Sequence, residues 1–353
     1  MGPVGAGAVC AIVRAPRYRP ELAMEYTAIK LVKRPALAIT PDVFEVVRLE
    51  TPALEAGQVL LKQTHMSLDP AMRGWMSEDR GSYIPPVELG DIMRSSGVAT
   101  VVESRNEAFA EGDQVAGLIG WTEYAVSDGS GLNKIPPGIS AEAVLCVLAL
   151  PGLTAYKGLI DVGQPKAGET LVVSGAAGSV GSIVGQLGKA EGMTVIGTAG
   201  SDDKCRWLTD ELGFDAAVNY KSDDLQARLT DATPNGVDLY FENTGGPVQH
   251  VVFHRMNAHG RIVVCGMIAD YNTATPAPGP NWLNIVRKRL TITGFTMPDH
   301  WDEVPAMMQK LGAYLAAGKL KYRAHKLQGL ESAIDGINLL FSGGNTGKLM
   351  VEL

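Results

Sequence analysis

The sequence predicts an α/β protein in which a β-rich domain precedes a doubly wound, parallel-sheet domain. Three observations predict it. Short strands broken by turn residues fill the first part of the chain. From Glu169 onward strands alternate with helices. The strands of that second part are near-continuous Val, Leu and Ile runs, as expected where a parallel sheet is buried on both faces. At 353 residues the chain is long for one domain and comfortable for two.

The elements follow in order. "AIKLVKRP" ends at Pro35, "DVFEVVRLE" stops before Thr51-Pro52, and "GQVLLKQTHMSL" opens at Gly57. "GVATVVES" and "GDQVAGLIGWTEYAV" continue the strand pattern, and "LNKIPPGI" reads as the last strand of the group. Near residue 141 the character changes to helix formers around Pro151-Gly152. "TLVVSG", "MTVIGTA", "AAVNY", "VDLYFEN", "RIVVCGMI" and "RLTITGFTM" then read as strands of one sheet. Helices are expected over "SVGSIVGQLGKAEG", "DDKCRWLTDELG" and "WDEVPAMMQKLGAYLAAG". The tail "ESAIDGINLLFSGGNTGKLMVEL" reads helix, glycine turn, strand, with the last strand returning to the first domain.

Composition narrows the function classes. A formal charge of −7 with no long basic run argues against a nucleic-acid partner. No apolar run is expected to reach the roughly 18 residues of a membrane span, and no membrane partner is expected. Cys10, Cys146, Cys205 and Cys265 lie far apart with no metal-ligand spacing. Reduced thiols and a cytoplasmic location are the expectation. Residues 1–23 hold Arg14, Arg17 and Arg19 after an apolar stretch, the wrong order for a secretory signal. They are expected to be a disordered extension.

The stretch "LVVSGAAGSVGSIVGQLG" carries the chemistry. From Ala176 it reads A-x-G-x-x-G, placed between a strand and a helix. Small residues let the backbone approach a pyrophosphate, and the helix N-terminus offers free N–H groups and partial positive charge. Tight packing of helix on strand, with no ligand, is the competing explanation. NAD binders usually end the next strand with Asp or Glu. Here that strand ends Thr198-Ala199-Gly200-Ser201, and Asp202 and Asp203 read as first-turn helix residues behind an N-cap at Ser201. With the acid missing, NADPH is expected over NADH, with Lys204 and Tyr220 near its 2′-phosphate. His65 stands alone, without the Cys and His-Glu ligands of a zinc alcohol dehydrogenase, so no metal site is expected. Asp69 and Arg73 in "SLDPAMR" read as an ion pair or turn lock beside Pro70.

"MSLDPAMRGWM", "YIPPVELGDIM", "GSDDK", "NYK", "YFENTGG", "CGMIADYN" and "GNTGKLMVEL" together resemble the zinc-free medium-chain dehydrogenase/reductase superfamily. More narrowly they resemble its NADP-dependent alkenal/enone double-bond reductases, the prostaglandin reductase family. The resemblance implies a GroES-like catalytic domain over 24–145, a Rossmann domain over 146–317, and a C-terminal return over 318–353. It implies that Gly178, Ser179, Val180 and Gly181 meet the pyrophosphate. Ser201, Lys204 and Tyr220 would surround the 2′-phosphate. Asn243, Cys265, Gly266, Met267, Phe295, Thr296, Met297 and Asn345 would surround the ribose and nicotinamide. Tyr271 stands where the family has an active-site tyrosine, as a donor to the substrate carbonyl or as a lining residue.

The implied reaction is hydride transfer to the β-carbon of an α,β-unsaturated ketone or aldehyde. Quinone reduction and non-catalytic NADPH binding are the alternatives. Two departures bear on substrate: Ala71 replaces a tyrosine, and Ser95-Ser96 a glycine pair, which points to a bulkier substrate. A homodimer is implied, with "RLTITGF" as its sheet edge.

Overall fold

The structure, a computed structural model, describes residues 23–222 and 224–353. The expected extension, with Cys10 and its three arginines, falls on residues outside that set. In the first domain β1 (Glu25–Leu31) and β2 (Phe44–Glu50) form an antiparallel pair. β3 (Val59–Ser67), β4 (Ser96–Ser104), β5 (Gln114–Leu118), β6 (Tyr124–Ser127) and β7 (Asn133–Lys134) follow. β3 pairs with both β4 and β6, and β4 leads on to β5 and β7. Bulges between Leu60 and Leu61 and between Gln63 and His65 curl this sheet.

The helical run Ala141–Gly163 leads to the second domain. Ser140 caps it, its hydroxyl accepting the Ala143 N–H at 3.1 Å. π-helical turns at Val144–Leu148 and Lys157–Gly163 flank the regular helix Leu150–Tyr156. Pro151 sits in the first turn of that helix, where its missing N–H costs nothing. A side chain at Gly152 would collide with the Val147 carbonyl. This run corrects the expectation of no span-length apolar segment. Its mean hydropathy reaches 1.8, and 72% of that window is buried inside the protein. It is a core helix, packed under the parallel sheet.

That sheet is built from β8 (Thr170–Val173), β9 (Thr194–Ala199), β10 (Ala216–Asn219), β11 (Val237–Glu242), β12 (Met256–Val264) and β13 (Thr291–Gly294). All its pairings are parallel, in the order β10-β9-β8-β11-β12-β13. The order reverses between β8 and β11. In such sheets ligands bind outside the carboxyl ends of the strands at that reversal.

β14 (Ala324–Gln328) and β15 (Lys348–Glu352) complete the first domain's sheet, β15 pairing antiparallel with β3. Just before β15, Gly347 bridges to Gly178 and donates its N–H to the Ala177 carbonyl at 2.8 Å. The returning chain thus touches the glycine loop on its way home.

Candidate active site

A buried carboxylate fixes the floor of the reversal point. Glu242 ends β11 with no exposed surface. It accepts the Ser174 hydroxyl at 2.6 Å, the Tyr240 phenol at 2.7 Å, and the Thr244 and Gly245 N–H groups at 2.8 and 3.0 Å. Asn243 adds two bonds to Ser174, its N–H to the hydroxyl and its amide to the carbonyl, at 2.8 and 2.7 Å. The ends of β8 and β11 are locked side by side, so the loops beyond them are preorganised.

The glycine loop rises from that floor. Gly175 takes a left-handed φ of 58° and turns the chain away from β8. Ala176 N–H bonds Thr198 O at 2.9 Å, and Gly178 N–H bonds Gly175 O at 3.0 Å. Gly178 is the N-cap of helix Ser179–Ala190, and no side chain caps that helix. Its first-turn N–H groups are therefore available to an anion. A Cβ on Gly181 would lie 2.5 Å from the Gly175 carbonyl. Packing alone thus requires Gly181, whereas the uncapped turn at Gly178–Val180 is the feature that suits a pyrophosphate.

The end of β9 carries no acid. Gly200 stands there, with the Tyr220 hydroxyl 2.9 Å and Lys221 Cε 3.3 Å from where a side chain would begin. Ser201 caps the next helix, its hydroxyl accepting the Lys204 N–H at 3.3 Å. Lys204 Nζ donates to Gly343 O at 2.8 Å. Burial pulls the Lys204 ammonium down from its ordinary value, and the Lys221 cation adds to the shift. Two cations and a phenol gather at the end of β9, which fits a 2′-phosphate, while the nearby Asp202 carboxylate accepts the Asn219 amide at 2.9 Å.

Tyr271 lies beyond β12. The Cys265 and Gly266 N–H groups bond Glu242 O at 2.9 and 3.1 Å, which brings this loop over the same floor. Tyr271 folds back so that its hydroxyl accepts the Met267 N–H at 3.4 Å and lies 3.0 Å from where a Gly266 side chain would begin. Burial raises its pKa, the Met267 N–H opposes this, and Cys265 and Tyr83 add to the rise. The phenol is therefore protonated at neutral pH and stands ready as a donor.

Not every expected residue points a side chain at the site. The Phe295 ring packs beside Gly158 and Phe241, and Met297 is buried in the core. Between them Thr296 holds a buried hydroxyl with no partner among the described residues. That orphaned donor fits a cofactor amide or ribose. Asn345 donates to Gly347 O at 3.0 Å, one strand-width from the glycine loop.

The ion pair expected within "SLDPAMR" is not formed. Asp69 binds the Lys348 ammonium at 2.5 Å and accepts the Ser67 hydroxyl, whereas Arg73 turns the other way, to Asn272. Pro70 lies in the turn between them, where the Met72 N–H bonds Asp69 O at 3.0 Å and the Arg73 N–H bonds Pro70 O at 3.1 Å. Ala71 begins the turn Met72–Trp75 and packs against the catalytic domain's core. Ser95 is fully buried, its hydroxyl without a partner among the described residues. Sequence reasoning missed Lys221, although "NYK" held it beside Tyr220. It also missed Tyr83, whose phenol is electrostatically coupled to Tyr271 and Cys265. Among the described residues, no three His, Cys, Asp or Glu side chains converge on a point where a metal ion would fit.

The chain is similar to known proteins over most of its length. Residues 27–135 match the family described as the N-terminal domain of oxidoreductase, and residues 179–313 match that described as zinc-binding dehydrogenase. The chain is 40% identical to the NADPH-dependent curcumin reductase of Escherichia coli (strain K12), covering 92% of this chain and 95% of that one. It is 40% identical to prostaglandin reductase 1 of Bos taurus, covering 88% and 93%. Among solved structures it resembles the NADPH complex of CurA from Vibrio vulnificus, at a TM-score of 0.88 and 40% identity, covering 92% and 98%.

Proposed function

The chain belongs to the medium-chain dehydrogenase/reductase superfamily, among its NADPH-dependent double-bond reductases, and from that premise we propose how its own residues carry out the reaction. It reduces the C=C bond of α,β-unsaturated ketones or aldehydes. When bound, NADPH supplies the hydride. The free N–H groups of Ser179, Val180 and Gly181, behind the close backbone approach at Gly178, would hold the pyrophosphate, and Lys204, Tyr220 and Lys221 would hold the 2′-phosphate, with Ser201 shaping their turn. Asn243, Cys265, Gly266 and Met267 line the ribose and nicotinamide with Asn345 and the Phe295–Met297 backbone. The orphaned Thr296 hydroxyl would find its partner there.

The position of Tyr271 carries the reading. Its neutral phenol donates to the substrate carbonyl as negative charge develops on that oxygen, which stabilises the enolate. The enolate then takes a proton at the α-carbon, from the Tyr271 phenol or from water, and a phenolate so formed is reprotonated from solvent. The raised pKa keeps the donor protonated beyond the ordinary phenol value, so alkaline loss of kcat sets in above it. In Tyr271→Phe, kcat with an enone is expected to fall about 10²-fold, the usual loss for a single oxyanion donor. Wild-type turnover in that variant would remove Tyr271 from the chemistry.

The same proposal includes a zinc-independent reaction, a cytoplasmic location and a homodimer. β13 is an outer edge of the parallel sheet, and the helix Leu283–Lys288 before it exposes Leu283 and Val286, with Trp282 at its start. An uncovered edge beside apolar side chains favours pairing with a second copy. Light scattering at micromolar concentration tests this, and a monomer would contradict it. Ala71 leaves room for a bulkier substrate, so Ala71→Tyr is expected to shift preference from long to short enones. An unchanged preference would end that assignment.

A further inference from the structure

Arg73 joins the first domain to the loop that carries Tyr271. It belongs to the turn Met72–Trp75 of the catalytic domain and is half-buried. Its Nε–H donates to Asn272 Oδ1 at 3.0 Å, 199 positions along the chain. The same Nε reaches Leu37 O at 3.2 Å, and Nη2 reaches Pro35 O at 3.3 Å. These two carbonyls aim the planar guanidinium, which lysine does not replace.

Asn272 directly follows Tyr271. The rear of the Tyr271 loop is pinned to its own domain by Ile268 N–H on Asn243 O at 3.2 Å and Ala269 N–H on Thr244 O at 3.0 Å. Its front meets Arg73 from the opposite domain. All three acceptors of Arg73 are neutral oxygens. The contact is thus charge-assisted on one side only.

We propose that Arg73 is a positioning residue for the reduction: by holding Asn272 it presents the Tyr271 phenol to the carbonyl of a substrate bound between the domains. The inference rests on the reading of Tyr271 as the carbonyl donor. Steady-state kinetics with an enone on Arg73→Ala, Asn272→Ala, Tyr271→Phe and the double variants test it. Arg73→Ala and Asn272→Ala should each lower kcat about tenfold, the size of one charge-assisted hydrogen bond. The affinity for NADPH, read by fluorescence, should stay unchanged in both.

Combined, the Arg73 and Asn272 changes should cost no more than either alone. On Tyr271→Phe, Arg73→Ala should cost nothing further, since the group it positions is gone. An equal loss in both backgrounds, or losses that multiply, would make Arg73 merely structural and overturn the proposal. Unchanged kcat in Asn272→Ala would overturn it too, and this variant leaves the catalytic domain intact. Reduced kcat in Tyr271→Phe with unchanged kcat in Arg73→Ala would sink the Arg73 role alone. Wild-type kcat in Tyr271→Phe would sink the donor reading first and the Arg73 role with it.

Discussion

Lys348 Nζ lies 2.5 Å from Asp69 Oδ1, across 279 positions of chain, with both residues buried. The ammonium also donates to Leu68 O at 2.8 Å. One residue earlier, Gly347 bonds Ala177 in the glycine loop. The strand β15 is therefore tied at its start to the cofactor loop and to the catalytic domain's "SLDP" turn. Lys348→Met leaves the Asp69 carboxylate buried and unpaired, a loss of about 3–5 kcal/mol. Urea unfolding measures it. A loss below about 1 kcal/mol would show that water or another cation replaces the pair.

The choice of cofactor depends on the cations beyond β9. Lys204→Ala and Lys221→Ala should each weaken NADPH about 10- to 100-fold by removing a charge-assisted contact to phosphate. NADH, which lacks that phosphate, should bind each variant as it binds the wild type. Fluorescence titration with both cofactors checks this. Equal weakening of NADH would place the lysines elsewhere on the nucleotide.

The glycine loop answers separately to packing and to ligand. Gly181→Ala drives a Cβ to 2.5 Å from Gly175 O, whereas Gly178→Ala brings one only to 3.2 Å of the same atom. Gly181→Ala should cost about 1–3 kcal/mol of stability. Gly178→Ala should cost less stability and act mainly on NADPH affinity. If Gly178→Ala instead destabilised as much and bound NADPH normally, the loop would be a packing device.

Enones are thiol-reactive, and Cys265 lies in the Tyr271 loop. Burial pushes the Cys265 thiol up to about 12, with the Glu242 carboxylate adding to the rise, and Cys146 is likewise pushed up to about 12. A thiol is protonated below its pKa, so at pH 7.5 the reactive thiolate is roughly 10⁻⁵–10⁻⁴ of each, and it grows tenfold per pH unit. Preincubating a Cys10→Ser variant with an enone, without NADPH, should leave activity intact at pH 7.5. Inactivation should speed up with rising pH. Alkylated Cys265 at pH 7.5, found by mass spectrometry, would contradict this.

What was legible in the sequence was local. The strand–glycine–helix unit at Leu171–Gly188, the N-cap at Ser201 and the missing acid at Gly200 each follow from neighbours in the chain, and each is found in place. What was hidden was the partner of a charge. Asp69 and Arg73 sit four positions apart and invite pairing. Asp69 instead pairs with Lys348, 279 positions away, and Arg73 donates to Asn272, 199 positions away, partners that neighbouring residues do not reveal. The run Ala141–Gly163 was legible as helix formers around Pro151-Gly152; its π turns and the extended residue Ala149 between its pieces were not.

The central claim is that hydride goes to carbon and not to the carbonyl. Incubation of the wild-type protein with NADPH and a medium-chain enone, with the product identified by mass spectrometry and NMR, tests it most directly. A saturated ketone, formed as NADPH is consumed, is the expected result. An allylic alcohol would place the hydride on the carbonyl carbon, and consumption with quinones alone would make the chain a quinone reductase; either would contradict the mechanism built on Tyr271.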